Sequence, residues 1–221
     1  SAVTGKRRGN WDAFFDHPGR RPEEIEAAAG RFRLASARAR TGGNRVEVFF
    51  GGLEMGLFTG GVAYTFVPGS RLIQQEAVVR TAAPDVAYYY DAGIRVAVSE
   101  SRLAWYDTSG REASEAAPPG RRTLAARYRT LAAQWRGGSL AVFPPPHQYF
   151  FARDVTNNLG HLWRRAEADA LEIGVRQLPD DGTRYYPWMN APPNTEQRLS
   201  LFLVPGPGTA ADRLADVLRY T

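Results

Sequence analysis

The stretch FPPPHQYFFARD, residues 143–154, brings a histidine, aromatic rings and an arginine–aspartate pair into one short segment. Side chains alternate between the two faces of an extended strand. A strand that begins at His147 therefore places His147, Tyr149 and Arg153 on one face and Asp154 on the other. Histidine transfers protons near neutral pH and arginine stabilises negative charge, so that face has groups for acid–base chemistry. The alternative interpretation is a buried edge strand with a hydrogen-bonded histidine.

A second group of candidate residues occurs in YYPWMNAPPNTEQRLSLFLV, residues 185–204. The prolines predict an irregular loop that leads into a strand, and functional side chains are often found on such loops beside a rigid scaffold. Aromatic, amide and charged side chains together are typical of sugar-binding sites, although loop packing accounts for them equally well. The candidates in this segment are Trp188, Asn190, Glu196, Gln197 and Arg198.

Two further strands carry groups suited to a polar ligand. In PDVAYYYDAG, Tyr88 and Tyr90 share one face, and a tyrosine offers both a flat apolar ring and a hydroxyl group to a sugar. Aromatic packing in the core is the alternative. In RLIQQEAVVRT, Gln74 and Glu76 share one face of a strand that is otherwise largely apolar. Buried glutamines need hydrogen-bond partners, so this strand is either solvent-facing or part of a polar ligand site.

Several classes of chemistry lack their sequence motifs. The chain has no phosphate-binding glycine loop, no nucleophile elbow and no zinc-protease helix motif, which argues against nucleotide-dependent and serine-hydrolase chemistry. Cysteine is absent, and the three histidines are far apart in the sequence. We therefore predict no cofactor and no metal site; calcium is compatible with such folds, but no dense aspartate cluster places it.

The charge of the chain does not indicate a nucleic-acid partner. The 221 residues carry a formal net charge of +5, with a pI near 9.7. Lys6 is the only lysine, and the arginines are scattered. This skew fits a GC-rich genome better than a phosphate-binding surface. No segment approaches the roughly 20 apolar residues of a membrane span, so we also expect no membrane partner.

Short segments with a period of two predict an all-β protein. They are rich in Val, Tyr, Phe and Thr and are bounded by turn residues. The connections are too short for parallel crossovers, which favours a large antiparallel two-sheet β-sandwich. The predicted strands are 32–40, 45–52, 62–67, 71–81, 86–93, 94–99, 102–108, 139–143, 148–154, 159–166, 170–177 and 198–204.

The domain prediction includes three short helices. Residues 1–30 are predicted to form a loose N-terminal segment with a helix in RPEEIEAAAG. Residues 31–221 are predicted to form one large β-sandwich domain, with an internal linker near 109–122 and a helix near 123–136. The third helix lies in the last segment, GTAADRLADVLRYT, where Thr209 and Asp212 have the spacing of a capping box.

Four segments together resemble a bacterial family of predicted carbohydrate-active proteins: GVAYTFVPGSRLIQQEAVVRT, DVAYYYDAGI, FPPPHQYFFARD and YYPWMNAPPNTEQRLSLFLV. The resemblance covers roughly residues 45–221. The β-rich region of that family is similar to the galactose-mutarotase-like supersandwich of glycoside hydrolases and polysaccharide lyases. The resemblance implies a sugar-facing concave sheet, with His147 as the acid and Glu196 as the base. Similar longer chains continue into a further, metal-dependent hydrolase-like domain, so further domains are expected as partners.

Two functional hypotheses follow, with a structural or protein-interaction sandwich as a third. The first is an enzyme that hydrolyses a glycosidic bond or eliminates across a uronic acid, with a secreted or periplasmic location favoured. The second is a non-catalytic sugar-binding or accessory module of a larger hydrolase. The predicted catalytic residues are His147, Glu196, Asp154 and Arg198. The predicted substrate-binding residues are Tyr88, Tyr90, Tyr149, Arg153, Trp188, Asn190 and Gln197.

Overall fold

The computed structural model describes residues 2–6, 25–98, 100–146, 158–177 and 189–221. These residues form sixteen β-strands and one α-helix. The strands are β1 Ala2–Lys6, β2 Ile25–Ala28, β3 Arg31–Thr41, β4 Val46–Met55, β5 Phe58–Phe66, β6 Ile73–Arg80, β7 Val86–Val96, β8 Arg102–Tyr106, β9 Glu112–Ala116, β10 Gly120–Ala126, β11 Leu131–Trp135, β12 Gly138–Phe143, β13 Asn158–Ala166, β14 Leu171–Arg176, β15 Met189–Ala191 and β16 Gln197–Gly206, and the helix is α1 Ala210–Val217.

The strands belong to two antiparallel sheets, and the chain divides into two compact units. Unit 1 comprises Ser1–Pro68, Gln74–Asp91 and Gly182–Ser200, and unit 2 comprises Gly69–Ile73, Ala92–Asp181 and Leu201–Thr221. Strands β7 and β16 contribute residues to both units. The predicted all-β class with two antiparallel sheets is confirmed, whereas the single-domain organisation stays a prediction.

Unit 1 contains part of each sheet. One part has the strand order β3-β4-β5-β6 followed by the first residues of β16. The other part consists of β1 between β2 and the first half of β7, with β15 also paired to β7. The residues of β7 in this unit are buried on both faces from Val86 to Tyr90, whereas β3 is exposed along its whole length. The candidate site described below lies on a polar face of this unit.

Unit 2 is built around β12, β11, β8 and β9 in one sheet and β10, β13 and β14 in the other. The helix α1 packs its apolar stripe onto this unit, where Leu214 and Val217 contact a cluster that includes Phe143 and Val204. The predicted capping box is present, since Thr209 Oγ1 accepts a hydrogen bond from the Asp212 amide and Asp212 Oδ2 accepts one from the Thr209 amide. No helix among the described residues is long and apolar enough to span a membrane.

Two of the three predicted helices are wrong, and so is part of the predicted linker. Residues 25–28 form β2, and the segment 123–136 is occupied by β10 and β11 with a turn between them. Hydrophobic residues recur there at helical spacing, but the pattern combines two strands that pair with β13, β12 and β8. Strand pairing overrides the helix propensity of these alanine-rich stretches. Within the predicted linker, residues 112–116 form β9, which pairs with β8.

Candidate functional site

An open cavity of about 430 Å³ lies on the polar face of the β3-β4-β5-β6-β16 strands in unit 1. We call it the polar cavity. The register explains part of its lining: Arg40 pairs with Glu47 across β3 and β4, and Glu47 pairs with Thr65 across β4 and β5. Cross-strand partners share one face of a sheet, so these three side chains form a row. The complete lining is Arg40, Thr41, Gly42, Arg45, Glu47, Thr65, Gln74, Glu76 and Arg198.

Arg198 is the centre of the ion pairs in this cavity. Its Nη1 atom lies 2.8 Å from Glu76 Oε2 and 3.7 Å from Glu47 Oε2, and its Nε atom lies 2.9 Å from Glu196 Oε1. Desolvation opposes the charged guanidinium, but the adjacent Glu76 and Glu196 carboxylates raise the pKa of Arg198 overall. One arginine therefore holds three glutamates in fixed positions.

Glu76 is the buried member of this network, with 6% of its surface exposed. Its Oε2 atom contacts Arg198, and its Oε1 atom accepts a 2.8 Å hydrogen bond from the Ser200 hydroxyl group. Gln74, on the same face of β6, donates a long hydrogen bond of 3.5 Å to the same hydroxyl. A buried carboxylate is tolerated only when it is paired and hydrogen-bonded, and these contacts supply both conditions.

The electrostatics favour hydrogen bonding over proton donation. The Arg40 guanidinium donates a 2.7 Å hydrogen bond to Glu47 and, despite partial desolvation, lowers the pKa of that carboxyl group with help from Arg198. A general acid requires a carboxyl group that is still protonated near neutral pH. Glu47 is instead an ionised acceptor, and with the hydroxyl of Thr65 and the amide of Gln74 it is suited to binding the hydroxyl groups of a sugar.

The structure places three of the predicted residues on β16 or directly before it, but not all on one face. Arg198 lines the polar cavity, whereas Glu196 forms ion pairs with Arg80 and Arg198 beside it. Gln197 accepts a 3.1 Å hydrogen bond from the Tyr88 hydroxyl and donates one to Thr195. Alternation along the strand separates Gln197 from Arg198. These two side chains therefore cannot contact the same ligand from one face.

Asn190 lies in β15, where it pairs with Ala87 of β7, and its side chain is exposed. Part of the predicted irregular loop, Met189–Ala191, is therefore a short strand. The remaining predicted site residues lie outside the described residues: His147, Tyr149, Arg153, Asp154 and Trp188. The prediction that His147 and Glu196 share a cleft stays a prediction.

Tyr88 and Tyr90 are buried in unit 1, with 2% and 1% of their surfaces exposed. The Tyr90 hydroxyl donates a 2.9 Å hydrogen bond to the Ser200 carbonyl oxygen and accepts one from the Ser200 amide. The Tyr88 ring packs edge-on against Phe58, with ring centroids 5.3 Å apart. This burial favours core packing, the alternative interpretation of these tyrosines, over stacking against a sugar.

The buried tyrosines predict a loss of stability at high pH. Burial raises the pKa of Tyr88 to about 12 and also raises the pKa of Tyr90. In the unfolded chain both ionise near pH 10, so their contribution to stability is intact below about pH 10 and is lost as pH rises through the folded-state pKa. With a single lysine in the chain, tyrosines dominate this titration.

We expect the free energy of unfolding to fall by on the order of 2 kcal/mol between pH 9.5 and 11.5. Urea unfolding at a series of pH values measures the slope, and Tyr88→Phe should flatten it. An unchanged slope in that variant would show that other groups cause the loss.

Sequence analysis missed the part of the cavity contributed by β3, β4 and β5. Gln74 and Glu76 were identified from their polar character in an apolar strand. Glu47 also alternates with apolar residues in RVEVFF, which is a signal of the same kind. Its neighbours Arg40 and Thr65 depend on the strand register, which a single sequence does not reveal. Among the described residues, no three His, Cys, Asp or Glu side chains are grouped as a metal site requires.

The fold is similar to that of known carbohydrate-active enzymes. The GH36 α-galactosidase AgaA from Geobacillus stearothermophilus matches 85% of this chain with a TM-score of 0.55 and 8% identity. The galactosidase domain of the α-galactosidase–sucrose kinase AgaSK matches 93% of it with a TM-score of 0.57, also at 8% identity. No protein-family model and no curated protein sequence matches the chain.

These likenesses concern the fold alone, and they define its class: a β-sandwich of two antiparallel sheets. The chain covers 29% of the AgaA structure and 30% of the AgaSK structure, about a third of either chain. The activity of those whole enzymes therefore belongs to much longer proteins.

Proposed function

We propose that this chain is a sugar-binding accessory module of a larger carbohydrate-active enzyme, and that the polar cavity of unit 1 binds the sugar without turnover. The observation that carries the proposal is the pairing of both cavity carboxylates, Glu47 and Glu76, with arginines. Carboxylate oxygens accept hydrogen bonds from sugar hydroxyl groups. The similarity to about a third of each α-galactosidase chain supports a module rather than a whole enzyme.

The second candidate function is catalysis on a glycan, by hydrolysis or by elimination across a uronic acid. It is favoured by the position of Glu47 and Glu76, whose oxygens both contact the Nη1 atom of Arg198. Glycoside hydrolysis uses two carboxylates that flank one bond. The predicted catalytic residues His147, Asp154, Glu196 and Arg198 belong to this candidate.

Titration calorimetry against a panel of galactose-containing and other glycans tests the proposal. A reducing-sugar assay and an ultraviolet assay for unsaturated products are run on the same mixtures. We expect binding and no product. Product formation that is lost in Glu196→Gln would establish the catalytic candidate instead, and the absence of binding to every glycan would contradict the proposal.

The matched variants are Thr65→Val and Thr59→Val. Both threonines lie on the same face of β5, but only Thr65 lines the polar cavity. Loss of one hydrogen bond should weaken sugar binding about fivefold to tenfold in Thr65→Val and leave it unchanged in Thr59→Val. Equal effects of the two substitutions would place the sugar elsewhere.

A further inference from the structure

We infer that the polar cavity selects acidic sugars, and that Arg45 binds the carboxylate group of a uronic acid. This inference rests on the proposed function, because it specifies the ligand of the same cavity. Arg45 is not part of the ion-pair network that the described residues form in the cavity, and the inference assigns a role to it.

Among the residues that the structure describes, one charged side chain in the cavity lining has no ion-pair partner. Arg40 pairs with Glu47 at 2.7 Å, Arg198 pairs with Glu76 at 2.8 Å, and Glu196 is bound by Arg198 and, at 3.4 Å, by Arg80. Arg45 also lines the cavity, but its side chain makes no ion pair or hydrogen bond within the described part of the chain. The lining therefore carries one cation in excess.

The backbone holds Arg45 at the rim of the cavity. Arg45 closes the turn between β3 and β4, where the Gly42 amide donates a 3.1 Å hydrogen bond to the Arg45 carbonyl oxygen. The turn uses the left-handed backbone of Gly43, with φ of +58°. Arg45 is the residue directly before β4. Its guanidinium group, unpaired among the described residues, thus lines the same cavity as the ionised carboxylate of Glu47.

This arrangement fits a ligand that has one carboxylate next to several hydroxyl groups. The planar guanidinium of arginine matches a carboxylate in a two-point hydrogen bond. Glu47 and Glu76 accept hydrogen bonds from the hydroxyl groups of a ligand but repel its carboxylate group. The carboxylate group is therefore favoured at Arg45. A uronic acid therefore has one orientation, with its carboxylate at Arg45 and its hydroxyl groups toward Glu76, Gln74 and Thr65.

The experiment compares trigalacturonate with its methyl ester, which has the same ring and hydroxyl groups but no charge. Titration calorimetry is carried out on the whole chain at low and at high salt. At low salt the acid should bind about tenfold more tightly than the ester, and high salt should reduce this difference. In Arg45→Gln the acid should lose about tenfold in affinity, while the ester should change less than about twofold. The matched control is Arg219→Gln, an exposed arginine in unit 2 that changes the net charge equally.

The outcomes separate the inference from the proposed function. Equal affinities for acid and ester, or equal effects of Arg45→Gln and Arg219→Gln, overturn the inference. If the ester still binds and Thr65→Val still weakens it, the proposed function stands without the inference. If neither ligand nor any other glycan binds, both are wrong.

Discussion

Replacement of Gly52 by alanine is expected to lower the free energy of unfolding by about 4 kcal/mol. Gly52 has φ of +111°, and the pairing of β4 with β5 shifts in register between Gly51 and Leu53. A Cβ atom at this position would overlap the carbonyl oxygen of Arg33 and lie 2.8 Å from the carbonyl carbon. Because backbone atoms of β3 cannot yield as a side-chain end can, the two strands must separate locally. Those strands carry Arg40 and Glu47 to the cavity, and the turn between them carries Arg45.

The control for Gly52→Ala is Gly43→Ala in the turn between β3 and β4. Gly43 also has a positive φ, but no atom lies within 4 Å of a Cβ added there. We expect Gly43→Ala to lower the free energy of unfolding by about 1 kcal/mol, which is the cost of the left-handed backbone conformation alone. Urea unfolding measures both variants. If the two substitutions cost the same, the close approach of β3 to β4 at Gly52 does not constrain the fold.

Replacement of Arg198 by leucine should cost about 3 kcal/mol of unfolding free energy. It leaves the buried Glu76 carboxylate with the Ser200 hydroxyl as its remaining strong partner. The double variant Glu76→Leu/Arg198→Leu should recover most of this loss, because an apolar pair needs no compensation while a lone buried carboxylate does. Arg198→Leu removes one of the two central groups of the polar cavity and the double variant removes both, so sugar binding should be lost in each variant.

The exposed pair of Arg80 and Glu196 supplies the control. The side chain of Arg80 is 62% exposed, and ion pairs at such positions contribute little, so Arg80→Leu should cost less than about 1 kcal/mol. Thermal and urea unfolding of the wild type, Glu76→Leu, Arg198→Leu and the double variant gives the coupling energy between Glu76 and Arg198, and Arg80→Leu is measured alongside them. A cost of Arg198→Leu no greater than that of Arg80→Leu, or a double variant less stable than Arg198→Leu, would contradict the role assigned to the buried pair.

The sequence was sufficient to predict the class of the fold, most strands of the described residues and the terminal helix. Strand alternation and capping act within a few neighbouring residues, so a single sequence displays them. The helix predicted at 123–136 failed because its apolar spacing comes from two strands and a turn. Pairing with β13, β12 and β8 decides that segment, and those partners are distant in sequence.

The candidate site shows the same division. Local sequence marked Gln74, Glu76 and Arg198 as polar groups in strands, and it also marked Tyr88 and Tyr90. Only the tertiary structure shows that Arg198 joins Glu76 in a cavity while the tyrosines are buried in the core. Alternation fixes which residues share a face, but burial and register depend on the strands that pair across the sheet. The sequence thus determined the chemistry available to this protein, and the packing of distant strands decided which of those groups meet.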